Sequence, residues 1–221
     1  VETNGSAWHR AIVGGLWDEM GQRQLDFLVG HGLRPEHYVL DVGCGSLRAG
    51  VKLIDYLEPG HYYGIDRDAE LLRCGREYEL SPDLLAKAPI LAHVGDFDFR
   101  RLARQFDVAL AQSVFTHLPL NEIARCLVRV PAILEPRGVF YATFFENERG
   151  LSNLEPLEWS TADGLVITTY LDRDPYHYDF GTFQWLGQQA GLKVSYLGDW
   201  DHPRRQRMLA FERRSSCRPA A

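Results

Sequence analysis

The sequence predicts an α/β fold, a mostly parallel sheet with helices on both faces. Two observations carry this. From residue 38 onward, short β-branched runs alternate with helix-length amphipathic segments. The first such run, VLDVGCG over residues 39–45, also leaves its strand through two closely spaced glycines and enters a stretch of helical character. Strand–helix–strand repetition of this kind implies parallel pairing with right-handed crossovers. The 221 residues are 45% hydrophobic and 24% charged, which describes one globular domain with a substantial core.

The elements follow in order. Residues 6–32 hold helical stretches and two tryptophans. Residues 38–42 read as a strand and 46–57 as a helix, stopped by Pro59-Gly60. A second strand spans 61–66. A helix over 68–80 follows, with Asp68 as its N-cap. Strands are expected at 89–94 and 106–112, a helix at 120–134, and a strand at 138–145. Residues 146–180 then break the pattern: they are irregular, rich in Tyr, Asp and Pro, and hold one expected strand at 164–170. Long segments of this kind often carry function. A helix over 182–190 leads to two strands, 192–200 and 206–214, read as an antiparallel hairpin whose loop contains DHPR. The chain is therefore expected to be a single domain over 1–221, with an N-terminal helical lid over 1–37 and a cap insertion over 146–180.

Charge and cysteine usage exclude several classes. A net charge of −6 gives no overall field toward nucleic acid. The six arginines of HPRRQRMLAFERRSSCR fit a solvated strand edge and terminus better than a polyanion site. Cys44, Cys74, Cys126 and Cys217 show no CxxC pair and no metal-ligand spacing, so no metal is expected. Reduced thiols, no apolar leader run and no stretch near the ~18 apolar residues of a membrane helix point to a cytoplasmic protein.

The glycine turn is where a ligand is expected. Open α/β sheets bind ligands at the carboxyl ends of their strands. Gly43 and Gly45 let a ligand lie against a main chain lined by N–H groups. Asp66 ends the second strand, where its carboxylate can accept bonds from two ribose hydroxyls. Asp96 follows the third strand, suited to an adenine amino group, with Phe97 to cover the ring. Singly, Asp66 reads as a helix cap and Asp96 as a loop acid; jointly they favour an adenosine ligand. Asp41 lies inside the first strand, where a buried carboxylate is costly unless it meets a cation or several donors. A dinucleotide site wants GxGxxG, but Arg48 holds the third glycine position. A sulfonium with an α-amino group suits Asp41 better, so the turn is read as an S-adenosylmethionine (SAM) site.

These residues resemble a class I, seven-strand Rossmann-like SAM-dependent methyltransferase over about residues 38–213. VLDVGCG resembles motif I, YYGID motif II, VGDFDF motif III, FDVALAQSVFTHLP motif IV, and LEPRGVFYATFF the fifth-strand segment. The chain departs from the family at Leu47, where motif I commonly has its last glycine, and at Arg137, often glycine. The resemblance implies a seven-stranded sheet with the last strand antiparallel, SAM as cofactor and S-adenosylhomocysteine (SAH) as product. It also implies that Gly43 and Gly45 touch the methionine and ribose portions, with Ser46 and Arg67 beside them. Asp66 then binds the ribose, Asp96 and Phe97 the adenine, and Gln112 and Ser113 face the sulfonium. Trp17 is a candidate lid residue; core packing is its other reading.

Alignment of a nucleophile with the sulfonium methyl supplies most of the catalysis, and an oxygen or nitrogen acceptor adds the need for a base. His177, flanked by Tyr176 and Tyr178, is the candidate base or substrate anchor, with the two tyrosines lining the acceptor. His117 follows motif IV as a cofactor-edge residue or second candidate base. His202 reads as a turn residue beside Pro203. The expected function is methyl transfer to a small-molecule acceptor, of unassigned atom and in an unassigned oligomer. A macromolecule-directed or non-catalytic SAM-binding protein stays open. An NAD-dependent oxidoreductase stands behind both.

Overall fold

The computed structural model describes residues 7–150 and 154–214. Ser6, residues 151–153 of the expected cap, Cys217 and the last arginine of the tail, Arg218, lie outside the described residues. The fold is α/β, with a mostly parallel sheet whose last strands are antiparallel. The chain divides into two compact units at Leu110/Ala111.

The first unit begins with helices α1 (Ala7–Ile12) and α2 (Trp17–Gly30). Its strands β1 (Val39–Val42), β2 (Tyr62–Asp66), β3 (Ile90–His93) and β4 (Phe106–Ala111) stand in the order β3-β2-β1-β4, all parallel. β1 sits between β2 and β4, and all four of its residues are buried, as expected of a parallel strand covered on both faces. Helix α3 (Gly50–Tyr56) buries Leu53 and Ile54, and α4 (Ala69–Cys74) buries Leu71 and Leu72.

Local structure departs from the sequence expectations at specific residues. The helix expected from residue 46 starts only at Gly50, because Leu47 adopts φ +74° and holds the chain in a turn. The helix expected over 68–80 keeps its cap, with the Asp68 carboxylate accepting Glu70 N–H and Leu71 N–H at 2.9 and 3.2 Å. It changes at Cys74 into one π-helical turn, Gly75–Glu79. A Cβ at Gly75 would come within 2.8 Å of Leu47 Cγ and 3.0 Å of Ser46 O, so the glycine turn lies directly against it. A further short helix, α5 (Pro82–Ala86), escaped the sequence reading although Ser81 caps it and Pro82 opens it. The fourth strand stops at Ala111 rather than 112.

The second unit contains a 3-10 turn (Phe115–His117), α6 (Leu120–Ile133), β5 (Leu134–Glu146), α7 (Phe180–Gln189) and the hairpin β9 (Leu192–Gly198)–β10 (Arg207–Arg213). α6 buries Ile123, Cys126, Leu127 and Val130, the i, i+3, i+4, i+7 stripe of an amphipathic helix. β10 pairs antiparallel with both β5 and β9, as the hairpin reading required. In the expected cap, β6 (Leu157–Ser160) and β7 (Val166–Thr169) form an antiparallel pair; only β7 was anticipated. β8 (His177–Tyr178) then pairs parallel with the end of β5. The four strands of the first unit with β5, β9 and β10 of the second make the expected seven; β8 adds two residues of pairing to β5, and β6 and β7 form a sheet of their own.

Candidate cofactor site and acceptor segment

The glycine turn spends its amides on its own chain. Gly43 N–H and Cys44 N–H both donate to Ile65 O, at 2.8 and 3.0 Å, and Gly45 N–H donates to Asp66 Oδ2 at 2.8 Å. This corrects the expectation of a concavity lined with N–H groups. An anion finds none of these three donors available, whereas a ligand that brings its own donors meets carboxylates. Asp66 Oδ1 also accepts Asp68 N–H at 2.8 Å, so the carboxylate is fixed at both oxygens and each keeps a lone pair.

The two glycines do different work. Gly43, at φ +71°, is exposed, but Gly45, at φ +55°, is buried. A Cβ on Gly45 would meet Val13 Cγ1 at 2.6 Å, so the close neighbour of that backbone is the connection between α1 and α2. Arg48 secures the same connection, donating to Val13 O at 2.7 Å and Gly15 O at 3.0 Å. Ser46 is buried and donates to His9 O at 3.4 Å. Sequence reasoning treated Arg48 only as a missing glycine and passed over His9. The latter is fully buried, with Nε2 3.5 Å from Glu79 Oε1, and Glu79 also takes a bidentate pair from Arg10 at 2.7 and 2.6 Å. Trp17 is half-buried, edge-on to the His9 ring, with the Arg10 guanidinium 4.7 Å from its own ring centre.

Asp41 is buried and receives the Tyr62 hydroxyl on Oδ2 at 2.9 Å. Burial pushes its pKa from 3.8 up to about 7, against the pull of the Tyr62 hydrogen bond. Farther along, Asp96 is exposed and accepts Asp98 N–H at 3.1 Å. Phe97 follows at φ +59°, half-buried and edge-on to Phe99. The exposed Arg67 lies next to Asp66 and shares its carbonyl with His93 Nε2 at 2.9 Å. Two acceptor acids, Asp41 and Asp66, beside a turn with spent amides fit a cationic ligand carrying hydroxyls and an amine. They do not fit a pyrophosphate.

In the second unit, Gln112 and Ser113 open a buried polar network. Ser113, at φ +59°, donates its N–H to Thr143 Oγ1 at 2.7 Å and its hydroxyl to Gln206 Oε1 at 3.0 Å. Thr143 also donates to Gln206 Oε1 at 2.7 Å. Gln112 lies 3.1 Å from His202 Nε2, while His202 Nδ1 accepts Arg204 N–H at 3.1 Å. The Gln112 amide nitrogen is the atom at that distance from His202 Nε2, and it also reaches Gln206 Oε1 at 3.5 Å. His202 thus fixes its turn, as read from the sequence, and also reaches Gln112.

The segment 174–178 grips residues 116–118 three times. Tyr176 N–H donates to Thr116 O at 2.7 Å, the Tyr178 hydroxyl to Leu118 O at 2.8 Å, and His117 Nδ1 lies 2.6 Å from Asp174 Oδ1. Both side chains of the last pair are more than half exposed, at 56% and 58%. Tyr178 is buried with its hydroxyl committed, and Tyr176 is half-buried and stacked parallel to it. His177 points elsewhere: it is fully buried, Nδ1 is 3.0 Å from Thr169 Oγ1, and Nε2 has no partner among the described residues. Burial lowers its pKa, which favours the neutral ring.

Residues 40–140 match the family described as Methyltransferase domain. The chain is similar in structure to Streptomyces venezuelae DesVI, with TM-score 0.66 and 16% identity over 96% of this chain and 100% of that one. It is also similar to the glycopeptide N-methyltransferase MtfA complexed with SAM (TM-score 0.64, 13% identity, 87% and 94% covered). The magnesium protoporphyrin IX methyltransferase ChlM from Synechocystis PCC 6803 with bound SAM gives TM-score 0.60 at 14% identity over 88% and 80%. At these identities the likeness speaks for the fold, while the family match speaks for residues 40–140. Residues 40–140, with the acid-lined turn at their start, thus match a methyltransferase domain, in a chain whose fold is that of SAM-dependent methyltransferases of known structure.

Proposed function

We propose that the chain moves the SAM methyl group to a small-molecule oxygen or nitrogen acceptor, and that it works in the cytoplasm as one methyltransferase domain with an N-terminal lid and a cap over 146–180. The observation that carries the reading is the turn whose amides are spent and whose ligand-facing groups are carboxylates. When bound, SAM supplies an electrophilic methyl on a good leaving group. Asp66 would hold the ribose hydroxyls, beside Arg67. Asp96 and Phe97 would hold the adenine, Asp41 the ammonium, and exposed Gly43 the methionine chain. Gly45 and Ser46 would shape that wall through Val13 and His9, with Trp17 closing the first unit's side.

In the second unit, Gln112 and Ser113 follow β4, and their network favours a fixed main chain there. His117 is the better-placed base of the two histidine candidates, because its ring is exposed and Asp174 orients Nδ1. That leaves Nε2 as the proton acceptor. Buried His177 would support the acceptor segment through Thr169, as Tyr178 would through Leu118, leaving Tyr176 as the tyrosine with surface to offer. MtfA and ChlM, named for a glycopeptide and a magnesium porphyrin, favour a small-molecule acceptor over a polymer.

The test is transfer of labelled methyl from SAM to a panel of small amines, phenols and carboxylic acids, beside a bulk RNA and a bulk protein. Label in a small molecule supports the reading. Label only in a polymer moves the acceptor class, and binding of SAM without transfer to anything points to a non-catalytic protein.

A further inference from the structure

Asp41 is a buried acid that the chain has equipped from one side only. Tyr62 donates to Oδ2 at 2.9 Å, and Oδ1 accepts no hydrogen bond from a described residue. The contact is built into the fold. Tyr62 opens β2, which pairs in register with β1, and Gly64 stands opposite Asp41. Gly50 leaves the space that the hydroxyl fills, since a Cβ there would come within 2.6 Å of it. The ionisable groups facing Asp41 are few: Tyr62 and Asp66 from β2, Cys44 and Arg48 from the turn. Burial pushes the Cys44 thiol and the Tyr62 phenol well up, so both stay neutral. Asp66 repels a second negative charge, and Arg48 has its guanidinium turned to the Val13 and Gly15 carbonyls.

We propose that Tyr62 is a positioning residue for the cofactor's ammonium, holding one Asp41 oxygen so that the other receives the ammonium, and that binding releases the Asp41 proton to solvent. The inference rests on the SAM reading above. Free Asp41 is pushed up to about 7, so near neutral pH much of it is protonated. A cation at Oδ1 favours the carboxylate, and the O–H proton then leaves to buffer while the ammonium takes its place. Loss of the Tyr62 hydroxyl removes the one hydrogen bond that favours the charged form, so the same binding then has to expel more proton.

The experiment is calorimetric titration with SAH at about pH 6.5, in two buffers of different ionisation heat, which counts the protons released. Wild type should show heat that depends on the buffer, in the direction of proton release. Tyr62→Phe keeps the ring volume; it should bind about tenfold more weakly, release more proton and regain affinity as pH rises. Asp41→Asn should bind weakly with no proton released, and it decides the matter should Tyr62→Phe fail to fold. Buffer-independent heat in wild type, or unchanged affinity and proton count in a folded Tyr62→Phe, overturns the proposal while leaving the cofactor reading intact. Absence of SAH binding in folded wild type overturns both.

Discussion

Gly45 N–H is bound to the carboxylate of Asp66 at 2.8 Å, tying the exit of β1 to the end of β2. One side chain thereby shapes the turn and presents lone pairs to a ligand. Asp66→Ala should lose both. A hydrogen bond to a charged group is worth about 1.5–3 kcal/mol, so SAH affinity should fall roughly 10- to 100-fold by calorimetry. Unchanged affinity in folded protein would remove Asp66 from the site.

Gly45→Ala should damage stability more than ligand contact. The new Cβ would sit 2.6 Å from Val13 Cγ1 in a left-handed backbone. Strain and overpacking together predict a loss of about 2 kcal/mol or more and a melting temperature lower by about 5 °C. Adding Val13→Ala should return part of this, because it relieves the overlap and leaves the backbone strain. Thermal melts of the three variants are the check.

His117→Gln and Asp174→Asn separate a base from a bystander. With an acceptor found by the label-transfer panel, His117→Gln should lower kcat about 100-fold or more, with KM for SAM little changed. Asp174→Asn should lower it less and alter the pH profile. Equal loss in kcat and SAM affinity would mean a structural role.

Stability of the cofactor-free protein should carry two opposed pH dependences. His177 is held below 6.5 by burial, so below that pH the unfolded chain takes up a proton that the folded chain refuses. Its contribution is full above 6.5 and falls as the pH drops; the ring of His9, also lowered by burial, acts the same way. Asp41 is raised from 3.8 to about 7, so the folded chain holds the extra proton in that window. Stability then falls as pH rises through it. Denaturant melts should find Asp41→Asn gaining on wild type as pH rises from about 4 to about 7, and His177→Gln with a flatter loss below 6.5. Parallel curves for all three would refute the assignment.

Much of this was legible from residue order, and the gaps have physical causes. The β1 exit, the end of β2 and the Asp68 cap are written in adjacent residues, so periodicity and cap chemistry found them. The sequence also flagged Asp41 as needing a donor or a cation. It could not say that Tyr62, 21 residues on, brings one, because that follows from parallel register. Arg48 was read as an obstacle to a dinucleotide, yet its task is to hold Val13 and Gly15, a contact 33–35 residues distant. The late start of α3 hid behind Leu47, an ordinary helix former placed at positive φ by packing. His177 looked like an active-site residue because of its tyrosine neighbours. The short pairing of β8 with β5 is what turned it inward.

The central claim is that the glycine turn holds SAM. Calorimetric titration of the purified protein with SAM, SAH and NAD tests it most directly. The account predicts saturable binding of SAM and SAH and none of NAD. Binding of NAD alone would contradict it.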